Sequence, residues 1–382
     1  MSPDVFITRT AAFLPFDPVS NDEMEGVLGQ AGGRPSRARR LILRSNGIQT
    51  RHYAIDRATG RNAMSNAELT THAIRALGTP AEIGRVDCLA VGTSMPDQLM
   101  PNHAVMVHGA LGWPRLEAVA FAGICLAGTA ALKHAWLSVK SGGAQRAIAT
   151  GSELASSGLR GAFYQPETDA QLAALEAAPQ LAFEKDFLRW MLSDGAGAML
   201  LENAPRGPLS LRIEWIELSS AAHELPACMF MGAEQRADGS LASWRNATHA
   251  EWGERSIFAV KQDVKLLNEN IVRATLAEPL QGLMERRGLR ADRIDWFLPH
   301  LSSMYFAQPV ADALAAIGLP IPRERWFTNL TRCGNTGSAS PYIMLDELLR
   351  AGRIRAGERI LLFVPESGRF SSGFVMLEAV SA

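Results

Sequence analysis

The sequence predicts an α/β fold built from two similar halves. Short apolar runs typical of strands alternate with longer helical segments, a pattern that indicates sheets covered by helices. Residues 86–153 recur as residues 294–367 with their landmarks in the same order. This duplication indicates two α/β units packed together. We place the boundary near Pro205, which gives an N-terminal half of residues 1–204 and a C-terminal half of residues 205–382.

Each copy of the repeat predicts the same series of elements: strand, helix, short strand, helix and strand. Asp87 and Asp295 stand second in the opening apolar runs, and Gly112 and Gly318 follow the first helices. Glycine is a frequent helix stop, so the joint recurrence of these landmarks, more than any one of them, indicates the duplication.

Two stretches, residues 164–190 and 219–254, interrupt the repeated pattern. Insertions between regular elements shape substrate access or oligomer contacts in some proteins and are solvated surface excursions in others. Both interpretations stay open for these two.

Composition excludes several classes of function. The 382 residues are 47% hydrophobic, enough for a large core, and the net charge of −1 gives no electrostatic footprint for nucleic acid or an anionic membrane. The N-terminus lacks a basic region followed by an apolar run, and nowhere do 18 apolar residues follow one another. We therefore expect a cytoplasmic protein that binds neither nucleic acid nor membranes.

The four cysteines are widely spaced and form no CxxC pair, which argues against a disulfide framework and against a structural zinc site. Cys125 differs from the others by its context, AVAFAGICLAGTAAL, in which an apolar strand runs into a helix of small residues. A thiol at a helix N-terminus is expected to have a lowered pKa beside N–H groups that can bind an oxyanion. Cys88 and Cys228 are interpreted as buried, inert cysteines.

His300 and Asn335 occupy related positions in the second half. His300 follows the apolar run of the second copy, and Asn335 lies at the start of the helix equivalent to that of Cys125. A lone histidine is commonly a satisfied polar group, and a Gly-Asn pair is a common turn. Because strand ends collect catalytic groups in α/β proteins, Cys125, His300 and Asn335 are predicted to converge between the halves.

Together these motifs resemble the ketosynthase III branch of the thiolase superfamily over nearly the whole chain. AGICLAGTAAL resembles the nucleophile segment of the family, LPH at residues 298–300 its histidine motif, and GNTGSAS at residues 334–340 its asparagine motif. LSDGAGAML and NGIQTRHYA are further family marks in the expected order. The resemblance implies a thiolase-like fold in which the two halves form five layers, α-β-α-β-α.

The resemblance also implies the chemistry. Cys125 is the acyl-carrying nucleophile, and His300 and Asn335 donate hydrogen bonds to the second thioester as it becomes an enolate. The backbone N–H groups of Cys125 and Gly368 form the oxyanion hole. Neither a metal nor a redox cofactor is implied, since the substrates are thioesters of coenzyme A or of an acyl carrier protein.

Positions implied to bind substrate are Met100, Arg44, Ser303 and Phe370, and several depart from the family pattern. In the family a tryptophan and an arginine hold the coenzyme A nucleotide, and this chain keeps only the arginine, as Arg44. Ser303 stands where the family has an asparagine just after the catalytic histidine. The Gly-Gly-Gly-Phe loop reads SGRF at residues 367–370, and Met100 stands where relatives that join two long acyl chains carry a glutamate. The changes in the nucleotide-binding pair, at Ser303 and in the loop predict altered recognition of the pantetheine arm or carrier protein. Met100 argues against the head-to-head joining of two long acyl chains.

The tail PESGRF, with GTSMPDQLMP and RSNGIQTRHYA, resembles ketosynthases that build dialkylresorcinol or cyclohexanedione rings. The alternatives are a chain-initiating ketosynthase of fatty-acid synthesis, an enzyme acylating an oxygen or nitrogen acceptor, and a non-catalytic partner subunit. Asn335 disfavours the second alternative, and the three retained catalytic residues disfavour the third. The expected partners are an acyl carrier protein and a second copy of the chain. In this dimer, residues 92–101 of one copy are expected to line the acyl pocket of the other.

Overall fold

The computed structural model describes residues 3–163, 173 and 188–381. The strands of the first half are β1 (Phe6–Phe13), β2 (Val19–Ser20), β3 (Thr50–Arg51), β4 (Cys88–Thr93), β5 (Glu117–Ala122), β6 (Arg146–Glu153) and β7 (Gly195–Glu202). Its helices are α1 (Met24–Leu28), α2 (Arg39–Asn46), α3 (Asn66–Arg75), α4 (Pro80–Ile83), α5 (His103–Leu111) and α6 (Ala127–Lys140).

The second half contributes the strands β8 (Ser210–Ser220), β9 (Met229–Phe230), β10 (Ala233–Gln235), β11 (Leu241–Ser243), β12 (Lys261–Gln262), β13 (Trp296–Pro299), β14 (Arg359–Glu366) and β15 (Ser371–Val380). Its helices are α7 (His249–Glu254), α8 (Val264–Val272), α9 (Glu278–Arg287), α10 (Ala307–Ala316), α11 (Leu330–Cys333) and α12 (Ser340–Arg350). A π-helical stretch, Arg273–Ala277, joins α8 to α9.

Nine strands form one continuous sheet in the order β13-β14-β15-β8-β1-β7-β6-β4-β5. In the first half, β4 pairs in parallel with β5 and β6, and β7 runs antiparallel to β6 and β1. In the second half, β13 and β14 are parallel, and β15 runs antiparallel to β14 and β8. The halves join through β1 and β8, which pair at Phe6 with Arg212 and at Ile7 with Leu211.

The helices complete five layers, as the resemblance implied. Helices α3 and α5 cover the outer side of the first-half strands, and the π-helical stretch with α10 covers that of the second half. Helices α6 and α12 lie between the halves, because α6 packs on β4, β6 and β8 while α12 packs on β1, β7 and β13. Three large clusters of buried apolar side chains fill the spaces between these layers.

The aspartates and glycines that mark the sequence repeat have equivalent structural roles in the two halves. Asp87 accepts a hydrogen bond from the backbone N–H of Arg146, the first residue of β6, and Asp295 accepts one from Arg359, the first residue of β14. Gly112 and Gly318, which follow α5 and α10, both have positive φ angles, of 67° and 79°. Each aspartate thus fixes the start of the neighbouring parallel strand.

The second copy differs from the prediction at two places. The expected short strand is reduced to a single bridge between Phe297 and Trp326. The helix expected to open at Asn335 is α12, which begins at Ser340, because a 3-10 turn at Gly337–Ala339 intervenes. Asn335 therefore lies in a loop rather than at a helix start.

The first insertion, 164–190, lies outside the described residues except for 173 and 188–190. The second, 219–254, begins at the end of β8 and carries the short strand pair β10 and β11, together with β9, which pairs with β12. Within the described ranges, no helix combines the length and apolar character needed to span a bilayer.

Candidate active site

The three residues predicted to act together line one cavity of about 500 Å³ between the two halves. Cys125 reaches it from the turn between β5 and α6, His300 from the end of β13, and Asn335 from the loop before α12. All three are buried. The predicted convergence of Cys125, His300 and Asn335 on one site is what the structure shows.

Cys125 lies two residues before the first residue of α6 and has 8% of its surface exposed. The peptide N–H groups on either side, those of Ile124 and Leu126, both donate to the Glu366 carboxylate, at 2.9 and 3.0 Å. A protein carboxylate therefore occupies N–H groups at the start of α6 that sequence reasoning had left open for an oxyanion.

The expected lowering of the Cys125 pKa is wrong. Burial raises the pKa of the thiol well above its ordinary value, and the negative charges of Glu366 and Glu153 raise it further. The backbone N–H of Cys125 lowers the pKa of the thiol, but its effect is smaller than the raising effects of burial and charge. The helix terminus is outweighed because its partial charge is smaller than the desolvation of a thiolate beside carboxylates.

His300 continues the pairing of β13, since its N–H donates to the carbonyl of Phe363 at 2.8 Å. Its ring is 1% exposed, and neither ring nitrogen has a hydrogen-bond partner in the described part of the chain. Burial lowers its pKa to about 4, so the imidazole is neutral near pH 7. A neutral ring carries one N–H, which is available to a substrate oxygen.

The backbone of Asn335 is fixed by β-bridge hydrogen bonds to the segment before β7. Its N–H donates to Met191 and its carbonyl accepts from Ser193, both at 2.9 Å. The side-chain oxygen accepts the N–H of Gly337 at 2.9 Å, which fixes the orientation of the amide. The amide NH₂ is consequently the end of the Asn335 side chain left to donate to a ligand.

Glu153, at the end of β6, ties this loop to the first half. Its carboxylate accepts the N–H of Ser338 at 3.1 Å and the hydroxyl and N–H of Ser94 at 2.5 and 3.3 Å. A side chain at Gly337, where φ is 50°, would come within 2.9 Å of Glu153. Burial raises the pKa of Glu153 to about 7, against the lowering effect of these hydrogen bonds.

The oxyanion hole predicted from the backbone N–H groups of Cys125 and Gly368 stays a prediction, and the positions of the two residues are compatible with it. Cys125 and Gly368 both line the cavity. The backbone N–H groups of both lie outside helices and strands and have no acceptor among the described residues. The carbonyl of Gly368, by contrast, accepts the N–H of Cys228 at 2.8 Å, which anchors the loop.

The predicted substrate-binding positions do not lie on the cavity wall. Arg44 is exposed on α2, and Met100 is 84% exposed. Ser303 is fully buried, with its hydroxyl accepting the N–H of Tyr305, and Phe370 is 1% exposed within the apolar core. Neither Ser303 nor Phe370 is among the residues that line this cavity.

Sequence reasoning missed several residues that line the cavity. Glu366 stands in the segment PESGRF, whose resemblance to ring-forming ketosynthases gave the glutamate itself no role. Met229, Phe230 and Met231 reach the cavity from the second insertion, which therefore shapes substrate access. An acidic residue beside a glycine-rich catalytic loop was the available signal for Glu366, whereas nothing local marked the insertion residues.

One further group of described residues could hold a metal ion. Ligand atoms of Cys88, Glu117 and His134 lie within 4.8 Å of one another, and none of these residues lines the cavity. The cavity itself offers imidazole and amide N–H donors for thioester oxygens, at His300 and Asn335, beside the carboxylates of Glu153 and Glu366.

Comparison with known proteins agrees with the geometry. The family model described as 3-oxoacyl-[acyl-carrier-protein] synthase III C terminal matches residues 284–376, which include His300, Asn335 and Glu366. A β-ketoacyl-[acyl-carrier-protein] synthase III of a Bradyrhizobium species is 28% identical over 84% of this chain and 85% of its own length. That of Xanthomonas oryzae pv. oryzae is 26% identical over 97% of both chains.

Solved structures share the fold. The 3-oxoacyl-(acyl carrier protein) synthase III, FabH, of Pseudomonas aeruginosa has a TM-score of 0.71 at 21% identity and covers 98% of both chains. AbyA1, a tetronic acid condensing enzyme, has a TM-score of 0.71 at 20% identity, covering 98% of this chain and 99% of its own. OleA of Xanthomonas campestris, solved with lauric acid and lauroyl-CoA, has a TM-score of 0.71 at 18% identity, covering 99% of this chain and 100% of its own. These likenesses in sequence and fold support the resemblance of the chain to the ketosynthase III branch of the thiolase superfamily, a family of condensing acyltransferases.

Proposed function

We propose that this enzyme loads an acyl group onto Cys125 and condenses it with a β-ketoacyl thioester in preference to a malonyl thioester. In the first step the Cys125 sulfur attacks the acyl thioester, and the carrier thiol leaves with the thiol proton. In the second step the enolate carbon of the acceptor attacks the acyl carbonyl, forming a carbon–carbon bond and releasing the Cys125 sulfur.

The Glu366 carboxylate carries this proposal. It accepts the peptide N–H groups on both sides of Cys125 and lines the same cavity. A malonyl thioester brings a second carboxylate into this space, whereas a β-ketoacyl thioester is neutral. Like charges in a partly desolvated site repel strongly. The one cation among the described lining residues, Arg369, is exposed and donates its Nε–H to the carbonyl of Leu225.

His300 and Asn335 suit an enolate. Both present neutral N–H donors toward the cavity, and a neutral donor stabilises an enolate oxygen without protonating its carbon. A β-ketoacyl acceptor has two carbonyls flanking the reacting carbon, so its enolate forms without loss of carbon dioxide. Such an acceptor needs these donors but not a carboxylate-binding site.

The rest of the cavity suits an acyl chain. Its far wall is apolar, formed by residues of α8, the π-helical stretch and α10, including Leu267, Ile271 and Val310. If the acyl group on Cys125 is α,β-unsaturated, a second acidic carbon of the product can add to the alkene and close a six-membered ring. The enclosed cavity favours this closure because it keeps the reacting ends together. Such a product places the enzyme in specialised metabolism, in cyclohexanedione or dialkylresorcinol formation.

The second candidate is chain initiation with a malonyl thioester bound to acyl carrier protein. The names of the β-ketoacyl-[acyl-carrier-protein] synthase III relatives favour it. The specialised alternative has its own neighbours in fold, the tetronic acid condensing enzyme AbyA1 and OleA. The two candidates differ in the acceptor that the enzyme selects.

A competition experiment separates them. The enzyme is first loaded with an enoyl thioester, and then receives equal concentrations of a β-ketoacyl and a malonyl thioester. We expect mass spectrometry to find mainly the β-ketoacyl adduct or its cyclised form. A linear product made only from the malonyl thioester would discard the proposal in favour of chain initiation.

A further inference from the structure

Glu366 places an unpaired carboxylate oxygen in the active-site cavity. Its Oε2 accepts N–H groups from Ile124 and Leu126, so the side chain is held by two bonds to one oxygen. Its Oε1 has no hydrogen-bond partner within the described residues, and the side chain lines the cavity together with Cys125. The carboxylate is thus anchored at one end and available at the other.

A β-ketoacyl acceptor needs a base to form its carbanion, whereas a malonyl acceptor does not. Malonyl thioesters generate their carbanion by losing carbon dioxide, whereas a β-ketoacyl thioester must give up a proton from the carbon between its carbonyls. That proton requires a base positioned in the same cavity as the acylated cysteine. The proposed function therefore demands a residue that the Cys, His and Asn set does not supply.

The other ionisable groups of the described cavity wall do not fit this role. Both oxygens of Glu153 already have partners, because one accepts the N–H groups of Ser94 and Ser338 and the other accepts the Ser94 hydroxyl. His300 is a weak base in this site, since burial lowers its pKa to about 4. Cys125 carries the acyl group at this stage, and Arg369 is a cation. Glu366 remains.

We propose that Glu366 is the general base that removes the α-proton of a β-ketoacyl acceptor, an inference that rests on the proposed function. Glu366 Oε1 takes the proton as the carbon–hydrogen electron pair becomes the enolate, whose oxygen is bound by His300 and Asn335. The enolate carbon then attacks the acyl carbonyl on Cys125, forming the carbon–carbon bond and breaking the carbon–sulfur bond. The proton on Glu366 passes to the released thiolate, which restores both residues.

The contact between Glu366 and the nucleophile segment supports this cycle. While ionised, Glu366 disfavours the thiolate at Cys125 through its charge. Once it holds the acceptor proton, that opposition disappears, so the sulfur leaves the acyl group at the moment when its charged form is least disfavoured. Return of the proton to sulfur then re-establishes the ionised carboxylate for the next turnover.

The test uses full-length enzyme already acylated on Cys125, with acylation measured by intact mass. Wild type, Glu366→Gln and Glu366→Ala are mixed with a β-ketoacyl thioester, and separately with a malonyl thioester, in single-turnover experiments. Glutamine keeps an oxygen that accepts the Ile124 and Leu126 N–H groups but has no basic site. We expect Glu366→Gln to lower the β-ketoacyl rate at least 100-fold relative to wild type. Added formate is expected to restore part of the rate in Glu366→Ala, where the missing side chain leaves room for it.

The outcomes separate the inference from the proposed function. A β-ketoacyl rate in Glu366→Gln close to that of wild type would overturn the role of Glu366 and leave the proposed acceptor intact. Failure of Glu366→Gln to become acylated, or absence of formate rescue in folded Glu366→Ala, would also overturn it, because the side chain would then act in loading or in structure. If wild type used only the malonyl thioester, the proposed function itself would be wrong.

Discussion

Cys125 shows that the position of a thiol at a helix start does not by itself make it acidic. The N–H groups beside Cys125 are shared with Glu366, so the electrostatic benefit of the helix terminus goes partly to a carboxylate. Desolvation then dominates and keeps the resting thiol protonated. Loading of Cys125 must therefore transfer the thiol proton during attack rather than begin from a stored thiolate.

Substitution of the catalytic set is expected to separate loading from condensation. Cys125→Ala should abolish acyl loading, whereas His300→Ala and Asn335→Ala should load an acyl group and then fail to condense it. Loss of one donor to the enolate is expected to lower the condensation rate about 100-fold or more. Intact-mass measurement reports loading and product analysis reports condensation. Complete loss of loading in His300→Ala or Asn335→Ala would contradict this division of roles.

Glu153 predicts a particular pH dependence of stability. Its carboxyl has a pKa of about 7 in the folded protein and about 4.5 when unfolded. Between these values the unfolded chain ionises while the folded protein does not, so wild type loses stability as pH rises through this range. The full effect is on the order of 3 kcal/mol. Above about pH 7 the loss is complete, and below about pH 4.5 it is absent.

Glu153→Gln is the matched variant, since glutamine can accept the Ser94 and Ser338 N–H groups and donate to the Ser94 hydroxyl. We expect the melting temperature of Glu153→Gln, relative to wild type, to rise steadily from pH 4.5 to pH 7 and then level off. A difference between the two proteins that does not change with pH would show that Glu153 titrates as an ordinary carboxyl.

Single residues could be predicted from the sequence where their place in the repeated pattern marked them. Cys125 and His300 were predictable because each follows a strand, and Asn335 because it stands at the equivalent place in the second copy. The structure brings all three to one cavity. Glu366 and Glu153 were not predictable, because their roles depend on contacts across more than 180 residues of chain. Ser303 was assigned to substrate by alignment, yet its burial is set by a local turn.

The π-helical stretch between α8 and α9 forms part of the acyl wall. Thr275 lines the cavity from this stretch, and its hydroxyl bonds to the carbonyl of Ile271 one turn earlier. π-Helical turns are uncommon and occur often at functional sites. Val272, the last residue of α8, and Thr275 line the same cavity.

Val272 provides a test of acyl length. The side chain lies at the end of α8, is only partly buried and lines the cavity. Val272→Phe should shift loading of Cys125 toward shorter acyl thioesters, and Val272→Ala toward longer ones, with each excluded methylene costing about 0.8 kcal/mol, or about fourfold in selectivity. Intact-mass competition among a series of chain lengths measures the shift. Identical preferences in both variants would place the acyl chain elsewhere.

Elements were predictable where the two copies agree and less so where they diverge. The repeated strands and helices follow from apolar runs with glycine stops, which are local signals. The strand expected before Phe327 collapses to one bridge, since its formation depends on pairing with a distant edge rather than on its own sequence. The π-helical stretch carried no local mark at all, because its residues, RATLA, suit an ordinary helix.

The exposed edge of the sheet predicts a homodimer. Strand β5 pairs only with β4 in the described structure, and all six of its residues are at least partly exposed. The apolar side chain of Leu137, on α6, which packs on β5, is exposed too, at 46%. An unpaired strand edge beside apolar surface is typical of a pairing site.

Sedimentation tests this assembly. We expect wild type to sediment at twice the 41.4 kDa mass of one chain. Leu137→Glu should shift it toward monomer, whereas Lys265→Glu, on the opposite outer layer and 85% exposed at its side chain, should not. A wild-type monomer at micromolar concentration would remove the dimer and, with it, the prediction that residues 92–101 line the partner's pocket.

The position of Glu366 in the chain has a consequence for protein synthesis. Translation completes the Cys125 segment long before it reaches β14, so the nucleophile exists for a time without the carboxylate that later lies beside it. During that interval the thiol lacks both the charge of Glu366 and the burial that the second half contributes, so it is more open to oxidation and to adventitious acylation. A ribosome stalled between the two halves exposes the most reactive form of this cysteine. The finished enzyme protects its nucleophile with one of the last strands to be made.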